Sequence, residues 1–255
     1  MIYSPQLVPA WVRDTLGWPT GRGVRVGVVG SGYDNDLPDP RVVPGLGFVD
    51  PDDDFEELRT LDDHDRIGHG TACARLILRV APDARVIPIR IFGEQLESSP
   101  HILKSALLWA VDEKLDVVCV AGSTTIPETV HPLYSACEKG RRAGTIFVAG
   151  AISAYELSYP AYFDPVIGVL QGTFDSPFDY RYNPDAGCEV EAWGEGEIIG
   201  ADGSQRLSYS HDYSAAVVAG IVALLRECYP AAPVELVREL LQRFALPEPE
   251  PEPDV

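Results

Sequence analysis

Two short stretches carry side chains suited to acid–base chemistry. Residues 68–75 read GHGTACAR and set the imidazole of His69 between two glycines. Residues 210–220 read SHDYSAAVVAG, a polar start that runs directly into small and apolar residues. A helix that is apolar on all sides belongs inside a large core, and its N-terminus is then held rigidly with free N–H groups. Asp212 lies at that N-terminus, so it is a candidate for chemistry together with His69.

A third stretch, residues 24–34, reads as a buried strand that ends in a Gly-x-Gly turn. Such a turn lies at the carboxyl edge of a sheet, where α/β proteins bind ligands. A dinucleotide site is one interpretation, because Asp50 follows about 20 residues later, where a ribose ligand is expected. Asn35 replaces the third glycine, however, and a proline-rich loop follows instead of a helix. The pattern therefore disfavours a dinucleotide site.

The remaining elements position these stretches within one large α/β domain, for which 255 residues are sufficient. Apolar spacing and a Ser-Pro cap predict a helix over about 101–113. Further predicted elements are a strand at 115–120, a helix at 131–143, a strand at 144–150 and a final amphipathic helix at 233–244.

Composition excludes several functions. A net charge of -19 argues against nucleic acid or an anionic membrane as partner. Because the acidic residues are spread along the chain, solubility explains them better than cation binding or a basic partner does. The five cysteines show no disulfide or zinc spacing. The N-terminus lacks signal-peptide features, and the longest apolar run, 215–225, is too short to span a bilayer. A cytoplasmic location is expected.

Several blocks, in order, resemble the subtilisin-like serine proteases (subtilases). Residues 210–220 resemble G-T-S-x-[SA]-A-P-x-V-A-G, residues 68–75 resemble G-H-G-T-H-[VC]-A-G, and residues 26–34 resemble V-A-V-I-D-[ST]-G-I-D. Other matching blocks are 80–91, 115–123, 144–151 and 159–169. The resemblance implies a three-layer αβα fold with a central, mostly parallel sheet. It implies a single domain over 1–246 that begins where a mature protease domain begins, without a propeptide. The charged, proline-rich composition of residues 247–255 predicts a disordered acidic Pro/Glu tail.

The same resemblance assigns positions in the catalytic site. His69 matches the general base, whereas Asp212 stands at the nucleophile position, Gly30 at the position of the orienting aspartate, and Ala151 at that of the oxyanion-hole asparagine. Loss of the serine alone costs a subtilisin about a million-fold in turnover. We therefore expect no ordinary serine-protease activity, and we favour a protein that is not an enzyme. Arg75 replaces a glycine used in close helix packing, which predicts that this helix tilts or unwinds there.

Binding is expected to survive where catalysis does not. In the family, the segment matching Ala121, Gly122 and Ser123 is a strand edge that pairs with substrate peptide through backbone groups. The preferred hypothesis is thus a pseudo-peptidase that binds a peptide or protein partner in the old substrate cleft. An active protease and a peptide-modifying enzyme are the candidate partners. No cofactor is expected, and nothing in the sequence supports a structural calcium.

Three alternatives remain open. A shift in the loop would make Ser210 or Ser214 the nucleophile of a working serine peptidase. A repurposed enzyme would use His69 and Asp212 as an imidazolium–carboxylate pair in acid–base chemistry. A metal site would use His69, His211 and Asp212 as ligands.

Overall fold

The computed structural model describes residues 10–49, 58–199 and 204–247. The strands in chain order are β1 (Arg25–Gly30), β2 (Leu46–Val49), β3 (Leu58–Thr60), β4 (Arg85–Arg90), β5 (Val117–Val120), β6 (Ile146–Gly150), β7 (Val166–Gly172), β8 (Tyr180–Tyr182), β9 (Val190–Trp193), β10 (Glu195–Ile199) and β11 (Gln205–Tyr209). The helices are α1 (Ala10–Leu16), α2 (His69–Val80), α3 (Pro100–Asp112), α4 (Val130–Ala143), α5 (His211–Cys228) and α6 (Val234–Phe244), with a 3-10 turn at Pro127–Thr129.

Within the described residues, nine strands form one sheet in the order β3-β2-β4-β1-β5-β6-β7-β9-β8. Its neighbouring strands are parallel except at the two edges, where β3 and β8 run antiparallel to their partners. The strands β10 and β11 form a separate antiparallel hairpin. Because most neighbouring strands are parallel, the connections between them must cross over the sheet, and helices cover both of its faces.

The side chains of successive strand residues point to opposite faces, and this alternation builds two cores. Val28 of β1 packs in one core with α2 and α5, whereas the next residue, Val29, packs in the other core with α3 and α4. The expected three-layer αβα architecture with a mostly parallel sheet is therefore confirmed.

The helix α5 lies at the centre of the core that contains Val28 and α2. Its residues 213–226 are all buried, as its uniformly apolar sequence predicts. It lies against α2 at such short range that a Cβ atom added to Gly220 would be 2.8 Å from the Cβ of Val80 and 3.2 Å from the carbonyl oxygen of Ile77. This contact fixes α5, and with it the N-terminus that carries Asp212.

Most predicted elements are found within one or two residues of their expected bounds. The prediction that Arg75 tilts or unwinds its helix is wrong, because α2 continues without interruption from His69 to Val80. The side chain of Arg75 is exposed, so it does not enter the α2–α5 contact. The short strand β3 precedes the loop that leads to α2.

The predicted disordered tail at 247–255 lies outside the described residues, apart from Pro247. None of the described helices combines the length and the apolar character needed to cross a membrane.

The α2–α5 contact can be tested with Gly220→Ala. Within a helix this change normally adds about 1 kcal/mol of stability. Here we expect a loss of about 1–3 kcal/mol, because the new methyl group would overlap Val80. Gly93→Ala is the control, since a Cβ atom at Gly93 would meet nothing within 4 Å. Urea denaturation of both variants measures the difference, and an equal or higher stability for Gly220→Ala would contradict this packing.

Candidate substrate cleft and active-site positions

The candidate site lies where two helix N-termini meet the carboxyl edge of the sheet. His69 is the first residue of α2, and Asp212 is the second residue of α5. The strands β1, β5 and β6 lie side by side at this edge. Gly30 ends β1, and Ala151 directly follows β6. This is the edge at which open α/β sheets place their ligands.

The structure brings His69 and Asp212 together. The Nε2 atom of His69 lies 3.5 Å from the Oδ2 atom of Asp212. The His69 side chain is 7% exposed, and that of Asp212 is 23% exposed. The ring of Tyr213 lies against the imidazole, with the ring centroids 5.1 Å apart. The nitrogen that would accept a proton from an attacking hydroxyl therefore faces a carboxylate.

Asp212 fits at this place because Gly150 has no side chain. A Cβ atom at Gly150 would lie 2.6 Å from the Oδ1 atom of Asp212 and 2.7 Å from its backbone nitrogen. The next residue, Ala151, is buried, and its backbone N–H donates to the carbonyl of Val169. Its methyl group has no hydrogen-bond donor to offer a developing oxyanion.

A network that the sequence analysis did not single out holds the loop before His69. The carboxylate of the buried Asp65 accepts hydrogen bonds from the backbone N–H groups of Ile67, Gly68 and Thr71, and from the hydroxyl of Thr71, at 2.6–2.9 Å. An aspartate a few residues before a helix start is a typical capping signal, and it could have identified this residue. The position of His69 is therefore rigid.

The other ring nitrogen of His69 lacks a partner. Its Nδ1 atom is buried and makes no hydrogen bond with the described part of the chain. Gly30 is close by, since a Cβ atom on it would be 3.9 Å from the Cα of Gly70 and 3.6 Å from the nearest atom, the Cβ of Ala121. The site thus has room at Gly30 for the first atom of a side chain, but it holds no acceptor for Nδ1–H.

Burial determines the protonation of the pair. It lowers the pKa of His69, although the charge of Asp65 acts in the opposite direction. It raises the pKa of Asp212 from 3.8 to about 7. The expectation that the two groups favour imidazolium and ionised carboxylate is therefore wrong in direction. Desolvation outweighs their attraction, because both charged forms lose water in this place.

Neither candidate serine of the shifted-loop alternative is directed at the imidazole. The hydroxyl oxygen of Ser210 caps α5 by accepting a hydrogen bond from the N–H of Asp212 at 3.1 Å. Ser214 is fully buried, and its hydroxyl donates to the carbonyl of Ala192 at 2.9 Å. Both hydroxyls are therefore engaged in holding the helix and its surroundings.

The metal-site alternative is not supported by the geometry. The Nδ1 atom of His211 accepts a hydrogen bond from the N–H of Gln171 at 2.7 Å, so this imidazole is engaged on the β7 side. The described residues contain no group of three or more His, Cys, Asp or Glu side chains arranged to hold a metal ion.

A pocket of about 560 Å³ opens beside Asp212. The residues 121–126, which follow β5, form one wall, and the segment 96–100 at the start of α3 forms another. Within the described residues, Gly122 and Ser123 make no backbone–backbone hydrogen bond. The predicted peptide-binding segment thus presents free backbone groups to a cleft.

The comparisons with known proteins agree with this architecture. Residues 21–253 match the Peptidase S8 model of the subtilase family, and the chain belongs to that family. It is 27% identical over 226 residues to an intracellular serine protease of Paenibacillus polymyxa, covering 81% of this chain and 68% of the relative. It is also 27% identical over 248 residues to subtilisin DY of Bacillus licheniformis, with 88% and 84% covered.

Solved structures show the same fold. A cold adapted subtilisin-like serine proteinase superimposes with a TM-score of 0.70 at 20% identity, covering 89% of this chain and 83% of the other. A lanthipeptide protease superimposes with a TM-score of 0.72 at 18% identity, covering 93% and 85%.

The raised pKa of Asp212 makes stability depend on pH. Its folded-state pKa of about 7 lies above its ordinary value of 3.8, so the folded state binds the proton more tightly than the unfolded state does. The stabilisation from this proton is therefore complete below about pH 4 and is lost as pH rises to about 7.

As pH rises from 4 to 8, we expect the free energy of unfolding of Asp212→Asn to increase by roughly 1–3 kcal/mol relative to that of the wild type. The full pKa difference corresponds to about 4 kcal/mol, but the partly exposed side chain keeps some contact with water. Urea denaturation across this range measures the effect. Asp164→Asn is the control, because this carboxyl group is exposed. Parallel stability curves for wild type and Asp212→Asn would disprove the raised pKa.

Proposed function

We propose that this subtilase binds an extended peptide or protein segment in the cleft beside Asp212 and does not cleave it. One observation carries the proposal: the Nε2 atom of His69 faces a carboxylate oxygen at 3.5 Å, at the position where the family has its serine hydroxyl. A carboxylate there cannot form the acyl-serine intermediate of this family.

Two further features disfavour peptide hydrolysis. The unpartnered Nδ1 atom of His69 has no acceptor that would stabilise an imidazolium ion during attack. The buried Ala151 offers no side-chain donor to the oxyanion, and removal of such a donor costs about 10²–10³ in turnover. These losses are not additive, because both groups would stabilise charge that develops during the same nucleophilic attack.

The binding half of the proposal rests on the backbone of the cleft. The segment 121–123 follows a central strand, and the N–H and C=O groups of Gly122 and Ser123 are free of backbone partners in the described structure. Free groups at a strand end pair readily with an extended chain. The adjoining pocket provides room for side chains of that chain.

The setting that we propose is the cytoplasm, with an active protease or a peptide-modifying enzyme as partner. All five cysteines are free thiols, and four of them are buried. Free thiols fit a reducing compartment. One relative is named an intracellular serine protease.

A repurposed acid–base site is the second candidate function. A carboxyl group with a pKa of about 7 that lines a pocket is suited to donate and accept protons near neutral pH. If Asp212 has an acid–base role, Asp212→Asn should abolish the cellular activity of the protein. If the pair of His69 and Asp212 is only structural, that activity should persist in the variant.

The loss of hydrolytic chemistry can be tested with a fluorophosphonate probe, which labels activated serines. We expect no labelling of the wild-type chain, because Ser210 and Ser214 are engaged in hydrogen bonds away from His69. The variant that combines Gly30→Asp, Ala151→Asn and Asp212→Ser is expected to become labelled at position 212. Adding His69→Ala to this variant is the control and should abolish the label. Stoichiometric labelling of either native serine would overturn the proposal.

Peptide binding can be tested by selecting binders from a phage-displayed random peptide library. The variant Ser123→Trp places a bulky ring in the cleft, so we expect it to lose the peptides that the wild type retains. Ser135→Trp is the matched control, since Ser135 is exposed on α4 and does not line the pocket. Calorimetry with the selected peptides gives the affinities. Equal binding by wild type and Ser123→Trp would contradict the proposal that the cleft is the peptide-binding site.

A further inference from the structure

We infer that the segment bound in this cleft carries a lysine or arginine side chain whose cationic group pairs with the carboxylate of Asp212. The inference rests on the proposed function, because it names the chemistry of the ligand for the same site. The inference depends on Asp212, which stands where the family motif has a serine. A serine hydroxyl would not attract a cation in this way.

The charge of the pocket is the first argument. Among the described residues that line it, the charged side chains are Glu97 and Asp212, and both are acidic. The other described lining residues are apolar or neutral, so none of them places a cation in the cavity with Asp212. The net charge of -19 adds a field that attracts positive ligands toward the protein.

The surroundings of Asp212 provide the second argument. The carboxylate has one neighbour of potentially opposite charge, the imidazole of His69, at 3.5 Å. Burial lowers the pKa of that imidazole and so disfavours the positive charge that would compensate a carboxylate. No arginine or lysine in the described chain forms an ion pair with Asp212. A buried carboxylate without a cation is costly, and a ligand cation would remove that cost.

The shape of the pocket favours a long basic side chain over a small cation. Its walls include Phe92, Leu96, Leu103 and Ile126, of which Leu96 and Ile126 are about half exposed. Lysine and arginine bury an apolar stem while their charged end reaches a polar partner. A metal ion needs several oxygen or nitrogen ligands, and the described residues offer no such cluster. Asp212 alone is better matched to an ammonium or guanidinium group.

The test is a positional-scanning array of N-acetylated peptides, in which each position carries lysine, arginine, norleucine or glutamate. Acetylation removes the terminal ammonium group, so only side chains provide a positive charge. The array is probed with the wild type and with the variants Asp212→Asn and Asp164→Asn. Asp212→Asn keeps the size of the side chain, and its folding is checked independently by its denaturation curve.

We expect one position at which the wild type prefers lysine or arginine over norleucine by about ten- to a hundredfold, the range of a charge-assisted hydrogen bond. Asp212→Asn should abolish this preference, whereas Asp164→Asn, at an exposed residue that does not line the pocket, should retain it. Binding without a basic preference, or with a preference that Asp212→Asn retains, would overturn the inference and leave the proposed function intact. A wild-type chain that binds no peptide on the array would instead contradict the proposed function itself.

Discussion

The contact between the carboxylate of Asp212 and the imidazole of His69 is the interaction on which the site depends. It lies between the first turns of two helices that cannot move independently, because α5 is buried along most of its length and packs against α2 at Gly220. The low polarity of these surroundings decides the protonation of both groups. Burial raises the pKa of Asp212 and lowers that of His69, so the pair resists charge separation.

The fold around this contact is that of the subtilase family. The carboxylate of Asp65 still orders the loop before His69, and the hydroxyl of Ser31 accepts a hydrogen bond from the N–H of Gly70 at 2.7 Å. A site with rigid support is suited to binding as well as to catalysis, since less conformational entropy is lost when a ligand is bound. A supported pair of side chains beside a pocket is therefore compatible with the binding function that we propose.

Under the proposed function, the carboxyl group of Asp212 decides which ligands the cleft recognises. This group faces a pocket with acidic and apolar lining. In the binding role that we propose, backbone groups at Gly122 and Ser123 would provide affinity for an extended chain of any sequence, whereas Asp212 would provide a preference based on charge. Binding and selectivity would then arise from different parts of one cleft.

The sequence by itself determined the class of fold and the order of the motifs. Apolar periodicity and caps are local properties, and they placed most elements within a residue or two, including the wholly buried α5. The motif order also predicted that His69 and Asp212 stand at two positions of one site. The predictions of helices and strands succeeded because each depends on residues that are close together in the chain, whereas the proximity of His69 and Asp212 was predicted from the order of the family's motifs.

Only the tertiary structure decided how these side chains interact. His211 and Asp212 are neighbours in sequence, yet one turns to the N–H of Gln171 on β7 and the other to His69 on α2. The direction of the pKa changes depended on burial by distant segments, which spacing does not report. Arg75 was expected to disturb its helix because it replaces a glycine used in close helix packing. In the folded chain the helix is uninterrupted, and the side chain of Arg75 lies in solvent. Contacts between remote segments set desolvation and side-chain direction, and for this reason they required the folded chain.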